Sequence, residues 1–172
     1  VCCTQLVTRI AVEQPDTVVL LGDLLYHGPR NALPEGYDPM AVAEMLNALK
    51  EHIVAVRGNC EAEVDQMVLD FPCMADYVEL IDSDGRVLFA THGHLWDPDN
   101  VPYLAAGSCF IFGHTPKKLL EKKRGILFVN PGSVAIPKDG SHSYGLFQDG
   151  IVELKDHDGT VLQSTPLPSF RY

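Results

Sequence analysis

The chain has 172 residues, 46% of them hydrophobic, and this size and composition predict one soluble domain spanning residues 1–172. Its formal net charge of −10 disfavours long nucleic acid as a partner, and no apolar run approaches the roughly 20 residues that span a bilayer. The five cysteines are an odd number and form no C-x-x-C pair, which argues against a disulfide framework and predicts a cytoplasmic protein.

The first half of the chain alternates predicted helices and strands. Apolar residues recur at helical spacing between residues 3 and 11, and Pro15 ends that pattern. Apolar runs at 17–21 and 53–57 predict two strands. The pattern is that of β/α units.

Two further helices are predicted in this half. Asp38 and Pro39 form a cap and first turn for a helix that continues to about Glu51. The next helix is expected to bury four apolar residues: Val64, Met67, Val68 and Phe71.

The second half changes to antiparallel strands. Strands at 77–81 and 86–91 flank Asp84-Gly85, which is a hairpin signal, and a short helix is predicted at 101–106. Later hairpin turns are predicted at two Asp-Gly pairs, Asp149-Gly150 and Asp158-Gly159. Two packed sheets with helices outside would satisfy this order.

Four strand candidates end on a polar side chain. These side chains are Asp23, Asn59, His92 and His114. Ligands of open α/β sheets bind beyond the carboxyl ends of the strands, where all four would lie. One carboxylate, one amide oxygen and two imidazoles favour Mn, with Fe, Zn or Ni as alternatives, over Ca or Mg.

Each of these residues alone has an ordinary explanation. Asp23 would be a turn or cap residue, Asn59 a turn residue, and His92 or His114 a hydrogen-bonded polar side chain. The predicted metal site therefore depends on the coincidence of four similar strand endings.

A longer set of motifs makes the chemistry more specific. In chain order they are Gly22-Asp23, Gly58-Asn59-Cys60-Glu61, Thr91-His92-Gly93-His94, Gly113-His114-Thr115 and Asn130-Pro131-Gly132-Ser133. Over nearly its whole length the chain resembles the metallophosphoesterase (calcineurin-like phosphoesterase) superfamily, in particular its YfcE-type phosphodiesterases. The resemblance implies a four-layer α/β/β/α sandwich of two mixed sheets. It also implies a hydrolase that attacks small phosphodiesters with metal-activated water.

In that family two divalent ions share one aspartate, which corresponds to Asp23. The resemblance assigns Asn59, His92 and His114 to one of the two ions. The other ion requires an Asp-x-His pair on the family's first strand, which has no counterpart here, and a histidine where this sequence has Pro116. The missing pair is either a truncation of the sequence or a true loss of the second site; with Pro116 affecting the same ion we favour the loss, which predicts one ion per chain and an activity that could be impaired. We also expect the sheet edges left by that strand to pair with another segment or subunit, which predicts a homo-oligomer.

Six other residues are candidates for roles around the ion. Catalytic candidates are His94, Cys60 and Glu61, and substrate-binding candidates are His27, Arg30 and Ser133. Cys60 stands where many relatives carry a general-acid histidine, and a thiol of ordinary pKa replaces it poorly. Glu61 either orients a metal ligand or is a first-turn helix residue. The remaining four could equally be solvated loop or turn residues.

Two other functions remain open at this point. A non-catalytic interaction domain is possible because a eukaryotic scaffold protein has the same fold, and an apolar surface away from the metal edge would favour it. A mononuclear oxygenase with two histidines and a carboxylate is the other alternative, but Asn59 and the full-length resemblance argue against it.

Overall fold

The computed structural model describes residues 2–33 and 36–169. The helices are α1 (Cys2–Glu13), α2 (Pro39–Asn47) and α3 (Glu63–Val68), with a 3-10 helix at Lys50–His52. The strands are β1 (Val18–Leu20), β2 (Ile53–Ala55), β3 (Tyr77–Ile81), β4 (Val87–Thr91), β5 (Cys109–Ile111), β6 (Lys118–Lys123), β7 (Ile126–Pro131), β8 (Ser143–Gln148), β9 (Ile151–Asp156) and β10 (Val161–Pro166). Among the described helices, none has the length and apolar character required to cross a bilayer.

Hydrogen bonds group the described strands into three sheets. Strands β1 and β2 pair in parallel, and β10-β9-β8 form an antiparallel meander. The largest sheet has the order β3-β4-β5-β7-β6, with parallel pairs at its centre and antiparallel pairs at both edges. β/α units therefore precede antiparallel strands as predicted, but the strands form three hydrogen-bonded sheets. Pairing of the open edges with another segment or subunit stays a prediction.

The five-stranded sheet is buried on both faces. Phe89, Phe110 and Phe128 lie in register on β4, β5 and β7 and form an aromatic cluster on one face. Residues of the opposite face, such as Val129, pack against Val152 of β9 and against β1. A parallel strand that is buried on both sides reads as a continuous apolar run, which is why the sequence identifies β4 and β5 well.

Helix α2 begins as predicted and ends early. The Asp38 side chain accepts a hydrogen bond from the Ala41 amide at 3.0 Å, and Pro39 opens the helix. The helix ends at Asn47, and the chain continues to His52 as a 3-10 turn instead of remaining α-helical to Glu51.

The predicted buried stripe of α3 is wrong. Val64 and Met67 are 64% and 83% exposed, whereas Phe71 is buried beyond the end of the helix. A helix of only six residues contacts the core through Val68, and the extended segment after it carries Leu69 and Phe71 inward. The four apolar residues do recur at helical spacing, but the helix ends at Val68, before it could bury all of them against the core.

The predicted helix at 101–106 is also wrong, since this segment is an irregular loop. Pro102 cannot donate a backbone hydrogen bond, and so short a segment gains little from helical bonds. Val101 and Leu104 still pack against the aromatic cluster, so the apolar spacing reflects burial rather than a helix.

Candidate metal centre

The four predicted ligands meet at one point between two sheets. His92 Nε2 lies 3.2 Å from Asn59 Oδ1, 3.2 Å from His114 Nδ1 and 3.5 Å from Asp23 Oδ2. Ligand atoms of Asp23, His92 and His114 all lie within 4.8 Å of one another. Asp23 and Asn59 follow β1 and β2, and the two histidines follow β4 and β5, so the carboxyl ends of four strands supply the cluster.

The orientation of His92 fits a cation. Its ring is 2% exposed, and Nδ1 lies 2.5 Å from the carbonyl oxygen of Leu21, which can only accept a hydrogen bond. Nδ1 therefore carries the proton, and the neutral ring presents a lone pair at Nε2. That lone pair faces the oxygen lone pairs of Asn59 and Asp23. Such converging electron pairs suit a divalent ion.

Without an ion, a proton satisfies part of this cluster. Burial lowers the pKa of His92, but the hydrogen bond to Asp23, the Leu21 carbonyl and the Asp23 charge outweigh burial and raise it. Burial raises the pKa of Asp23, but its hydrogen bond and ion pair with His92 outweigh burial and lower it. A raised pKa for His92 and a lowered pKa for Asp23 both favour an imidazolium beside a carboxylate. A proton on His92 and a cation would therefore compete for the same position.

Two of the ligands have a strained backbone. Asp23 and His114 have φ angles of 55° and 61°, in the left-handed region that few residues other than glycine adopt. Burial and the neighbouring His92 lower the pKa of His114, and Arg30 lowers it further. His114 is therefore held neutral, with a ring nitrogen able to bind a cation.

Glu61 holds the two turns that carry Asp23 and Asn59. Its carboxylate accepts hydrogen bonds from the backbone amides of Asp23 at 2.9 Å, Leu24 at 2.6 Å and Gly58 at 2.5 Å. The side chain is 8% exposed, and it precedes α3, so it is not a first-turn helix residue. The geometry gives Glu61 a positioning role.

The same two turns approach so closely that both require glycine. A Cβ atom on Gly58 would lie 2.5 Å from the Asp23 amide nitrogen and 2.7 Å from Glu61 Oε2. A Cβ atom on Gly22 would lie 2.7 Å from the Gly58 Cα atom. Steric contact across the site therefore explains why a glycine precedes each of these ligands.

Asn130 supports the loop of His114, a role that sequence reasoning missed. It is fully buried, and its Nδ2 donates to the carbonyl oxygens of Gly113 at 3.2 Å and Thr115 at 2.9 Å. Its Oδ1 accepts from the Gly132 amide at 2.9 Å. A buried amide at the end of the apolar run 126–129 was the available signal.

Cys60 and His94 border the centre. Burial and then the Asp23 charge raise the pKa of the Cys60 thiol to about 11, so it stays protonated at neutral pH. Its sulfur accepts a hydrogen bond from Asn59 Nδ2 at 3.3 Å, which turns Asn59 Oδ1 toward His92. The His94 ring lies 5.3 Å from that of His92. Its buried Nδ1 has no hydrogen-bond partner among the described residues.

The loop after Asp23 brings His27 and Arg30 to the same side. A side chain at Gly28 would contact Cys60 Sγ at 3.5 Å, so this loop lies against the site. Arg30 is exposed, and its charge reaches His114. Contact of either residue with a substrate stays a prediction.

Ser133 makes a local turn. Its hydroxyl accepts hydrogen bonds from the amides of Ile136 at 2.9 Å and Ala135 at 3.3 Å.

Arg57, which sequence reasoning did not single out, bonds Asp76 at 2.6 Å, and its charge acts on the nearby His94. The Asp76 carboxylate offsets the charge of Arg57.

No second group of three ligating side chains occurs in residues 2–33 and 36–169. Pro116 lies two residues beyond His114 and has no atom that could bind a metal. One candidate group of ligands is thus found in the described part of the chain, and one ion per chain stays a prediction.

Comparison with known proteins identifies the family of the chain. Residues 3–149 match the family described as the calcineurin-like phosphoesterase superfamily domain. The chain is 48% identical over 138 residues to the phosphodiesterase YfcE of Escherichia coli strain K12, a match that covers 80% of this chain and 74% of that protein. The solved structure of the Escherichia coli phosphoesterase YfcE superposes with a TM-score of 0.93 at 39% identity, covering 96% of this chain and 92% of that one.

More distant structures show the fold alone. A predicted phosphoesterase from Streptococcus pneumoniae has a TM-score of 0.60 at 19% identity and covers 95% of this chain and 89% of its own. Vacuolar protein sorting 29 from Cryptosporidium parvum has a TM-score of 0.52 at 21% identity, covering 89% of this chain and 98% of that one. The predicted metallophosphoesterase fold is thus confirmed. By its sequence and its fold, the chain belongs to the calcineurin-like phosphoesterase superfamily.

Proposed function

We propose that the chain is a metal-dependent phosphodiesterase that hydrolyses small phosphodiesters. The observation that carries this proposal is the lone pair of His92 Nε2, fixed by the Leu21 carbonyl toward the oxygens of Asn59 and Asp23. The 48% identity to a protein named phosphodiesterase supports the same reaction.

The charge of the site suits a phosphodiester. Asp23 is the single ionised ligand among the four, so a bound divalent ion and its ligands would carry a net charge of about +1, beside the buried carboxylate of Glu61. A phosphodiester carries one negative charge, and the exposed Arg30 of the adjoining loop adds positive charge. A divalent ion held here would supply Lewis acidity toward a phosphoryl oxygen and would lower the pKa of a water molecule.

The proposed reaction is the hydrolysis of one ester bond of the phosphodiester. The oxygen of water forms a new bond to phosphorus, and the ester P–O bond breaks with its electron pair leaving on the alcohol oxygen. That oxygen takes up a proton, and the products are a monoester and an alcohol. His94, whose buried Nδ1 lacks a partner in the described part of the chain, is placed to hydrogen-bond the reacting groups. His27 and Arg30 are proposed to contact the phosphate.

We propose manganese as the ion, at one ion per chain. The mixed nitrogen and oxygen ligands support this choice over Ca or Mg. Metal analysis of dialysed protein tests the stoichiometry: one ion is expected, and two tightly held ions, or none, would contradict it.

The decisive experiment is hydrolysis of bis(p-nitrophenyl) phosphate with added Mn²⁺. Asn59→Ala removes a ligand, so its kcat/KM should fall by at least the roughly 10–100-fold typical of losing a supporting residue at a metal site. Asn100→Ala, in an exposed loop, is the matched control and should leave turnover unchanged. Hydrolysis that survives Asn59→Ala would place the reaction elsewhere. Metal binding without turnover would favour the interaction-domain alternative.

The cellular setting is part of the proposal. All five cysteines lie in the described residues and are unpaired, which supports a reducing cytoplasm. We also propose a homo-oligomer, in which another subunit pairs with edge strands of the described sheets. Light scattering tests the oligomer, and a strictly monomeric protein would contradict it.

A further inference from the structure

Three aromatic rings line the loop that follows Asp23. The ring centroids of Tyr26 and His27 are 5.1 Å apart, and those of His27 and Tyr37 are 5.6 Å apart. Tyr26 and Tyr37 are 39% and 40% exposed. Partly exposed aromatic rings grouped in this way offer apolar faces that water does not satisfy, and such groups mark binding surfaces.

Side-chain hydrogen bonds hold the described parts of this loop. The Tyr37 hydroxyl donates to the carbonyl oxygen of Leu25 at 2.8 Å, and Leu25 itself is buried. The Asn31 side chain donates to the carbonyl oxygen of His27 at 2.7 Å. A surface held in this way loses little freedom on binding, which favours affinity.

The loop that carries the rings borders the metal centre. Tyr26 is three residues from Asp23, and the adjoining Gly28 lies against Cys60, whose amide donates to Asp23 Oδ1 at 3.1 Å. Arg30 lies in the same loop and is exposed. A molecule whose phosphate meets the ion would therefore have its remaining groups close to this loop.

We propose that Tyr26, His27 and Tyr37 form a stacking platform for a planar aromatic group of the substrate, and that small nucleoside phosphodiesters are the preferred class. This inference rests on the proposed phosphodiesterase function. Nucleobases stack on aromatic side chains without sequence preference. The net charge of −10 repels long polyanions, so the fitting ligand is a mononucleotide or dinucleotide ester rather than a nucleic acid chain.

The test compares two diesters with the same leaving group. Full-length, Mn²⁺-loaded protein is assayed with the p-nitrophenyl ester of thymidine 5′-monophosphate and with methyl p-nitrophenyl phosphate. The ratio of the two kcat/KM values should be about tenfold or more in favour of the thymidine ester. Because both substrates are measured on one preparation, this ratio does not depend on the fraction of protein that is folded.

Three variants locate the preference. Tyr26→Leu and Tyr37→Leu should each reduce the ratio by several-fold, about tenfold at most, while Tyr26→Phe should keep it. Tyr103→Leu, at a tyrosine that is 96% exposed in the loop after β4, is the control and should leave the ratio unchanged. Equal ratios in wild type and both leucine variants would overturn the platform.

A binding measurement separates this inference from the proposed function. Calorimetry compares thymidine 5′-monophosphate with methyl phosphate on the Mn²⁺-loaded chain. If neither ester is hydrolysed but the nucleotide binds about tenfold more tightly and Tyr26→Leu removes that advantage, the phosphodiesterase proposal fails and the platform stands. If both esters are hydrolysed and both phosphates bind equally, the function stands and the platform is wrong.

Discussion

Replacing Glu61 by glutamine should destabilise the protein and its metal site together. The carboxylate accepts hydrogen bonds from the amides of Asp23, Leu24 and Gly58 in a position that is 8% exposed. A glutamine amide has one carbonyl oxygen with two lone pairs, and its NH₂ group only donates. It can therefore satisfy two of the three amides, and the third faces another donor.

The magnitude follows from these contacts. Hydrogen bonds to a charged group contribute about 1.5–3 kcal/mol, and an orphaned buried donor costs about 1–3 kcal/mol. Weakening two bonds and losing one should thus lower the free energy of unfolding by about 2–4 kcal/mol. Because Glu61 holds the turns of both Asp23 and Asn59, Mn²⁺ affinity should fall by about 10-fold or more.

Two measurements check this prediction. Urea unfolding in excess chelator gives the stability of the metal-free protein, and calorimetry gives the dissociation constant for Mn²⁺. Glu63→Gln, two residues away and exposed at the start of α3, is the matched control and should cost less than about 1 kcal/mol. If Glu61→Gln were as stable as this control and bound Mn²⁺ as tightly as wild type, the positioning role of Glu61 would be refuted.

Two further predictions concern the supports of the fold and the site. Asn130→Ala removes the amide that holds the loop of His114. The free energy of unfolding, measured in urea, should fall by about 2 kcal/mol, and Mn²⁺ affinity should fall roughly tenfold. Unchanged metal affinity would show that the loop keeps its conformation without Asn130. The hydrogen bond from the Tyr144 hydroxyl lowers the pKa of Glu13 below its ordinary value of 4.5. Partial burial opposes this shift, and Lys155 lowers the pKa further. This stabilisation is present above pH 4.5 and is lost as the pH falls through the lower folded pKa. Tyr144→Phe should therefore be less stable than wild type by about 1 kcal/mol at pH 7 and by less near pH 3, and a stability difference that does not shrink in acid would contradict the assignment.

Much of the centre is predictable from the sequence because strands β1, β2, β4 and β5 are apolar runs. A buried strand leaves a clear signal, and the first polar residue beyond it is placed by the sheet rather than by a long loop. Glycine before a ligand adds a second signal, since Gly22 and Gly58 approach each other too closely for a Cβ atom. Local sequence therefore carries the information that positions Asp23 and Asn59.

Other features depend on contacts between distant residues and leave little local signal. The three amides bound by Glu61 come from two turns, one of them nearly 40 residues earlier in the chain, and no spacing rule connects them. The hairpin of β6 and β7 was not predicted, because its turn uses Arg124 and Gly125, with φ angles of 55° and 78°. Arginine is an uncommon residue in the left-handed region, where asparagine or aspartate gives the usual hairpin signal.

The supports of the centre act before any ion binds. Asp23 and His114 both adopt left-handed backbone conformations, which cost free energy that an isolated loop would relax. Glu61 opposes that relaxation at Asp23, and Asn130 does so at the loop of His114, in both cases through buried hydrogen bonds to backbone groups. Since these bonds involve no metal-binding atom, they can hold Asp23 and His114 in place without an ion, and a cation would compete with a proton for His92. A centre built in this way is fixed by the fold, and the ion is selected by it rather than organising it.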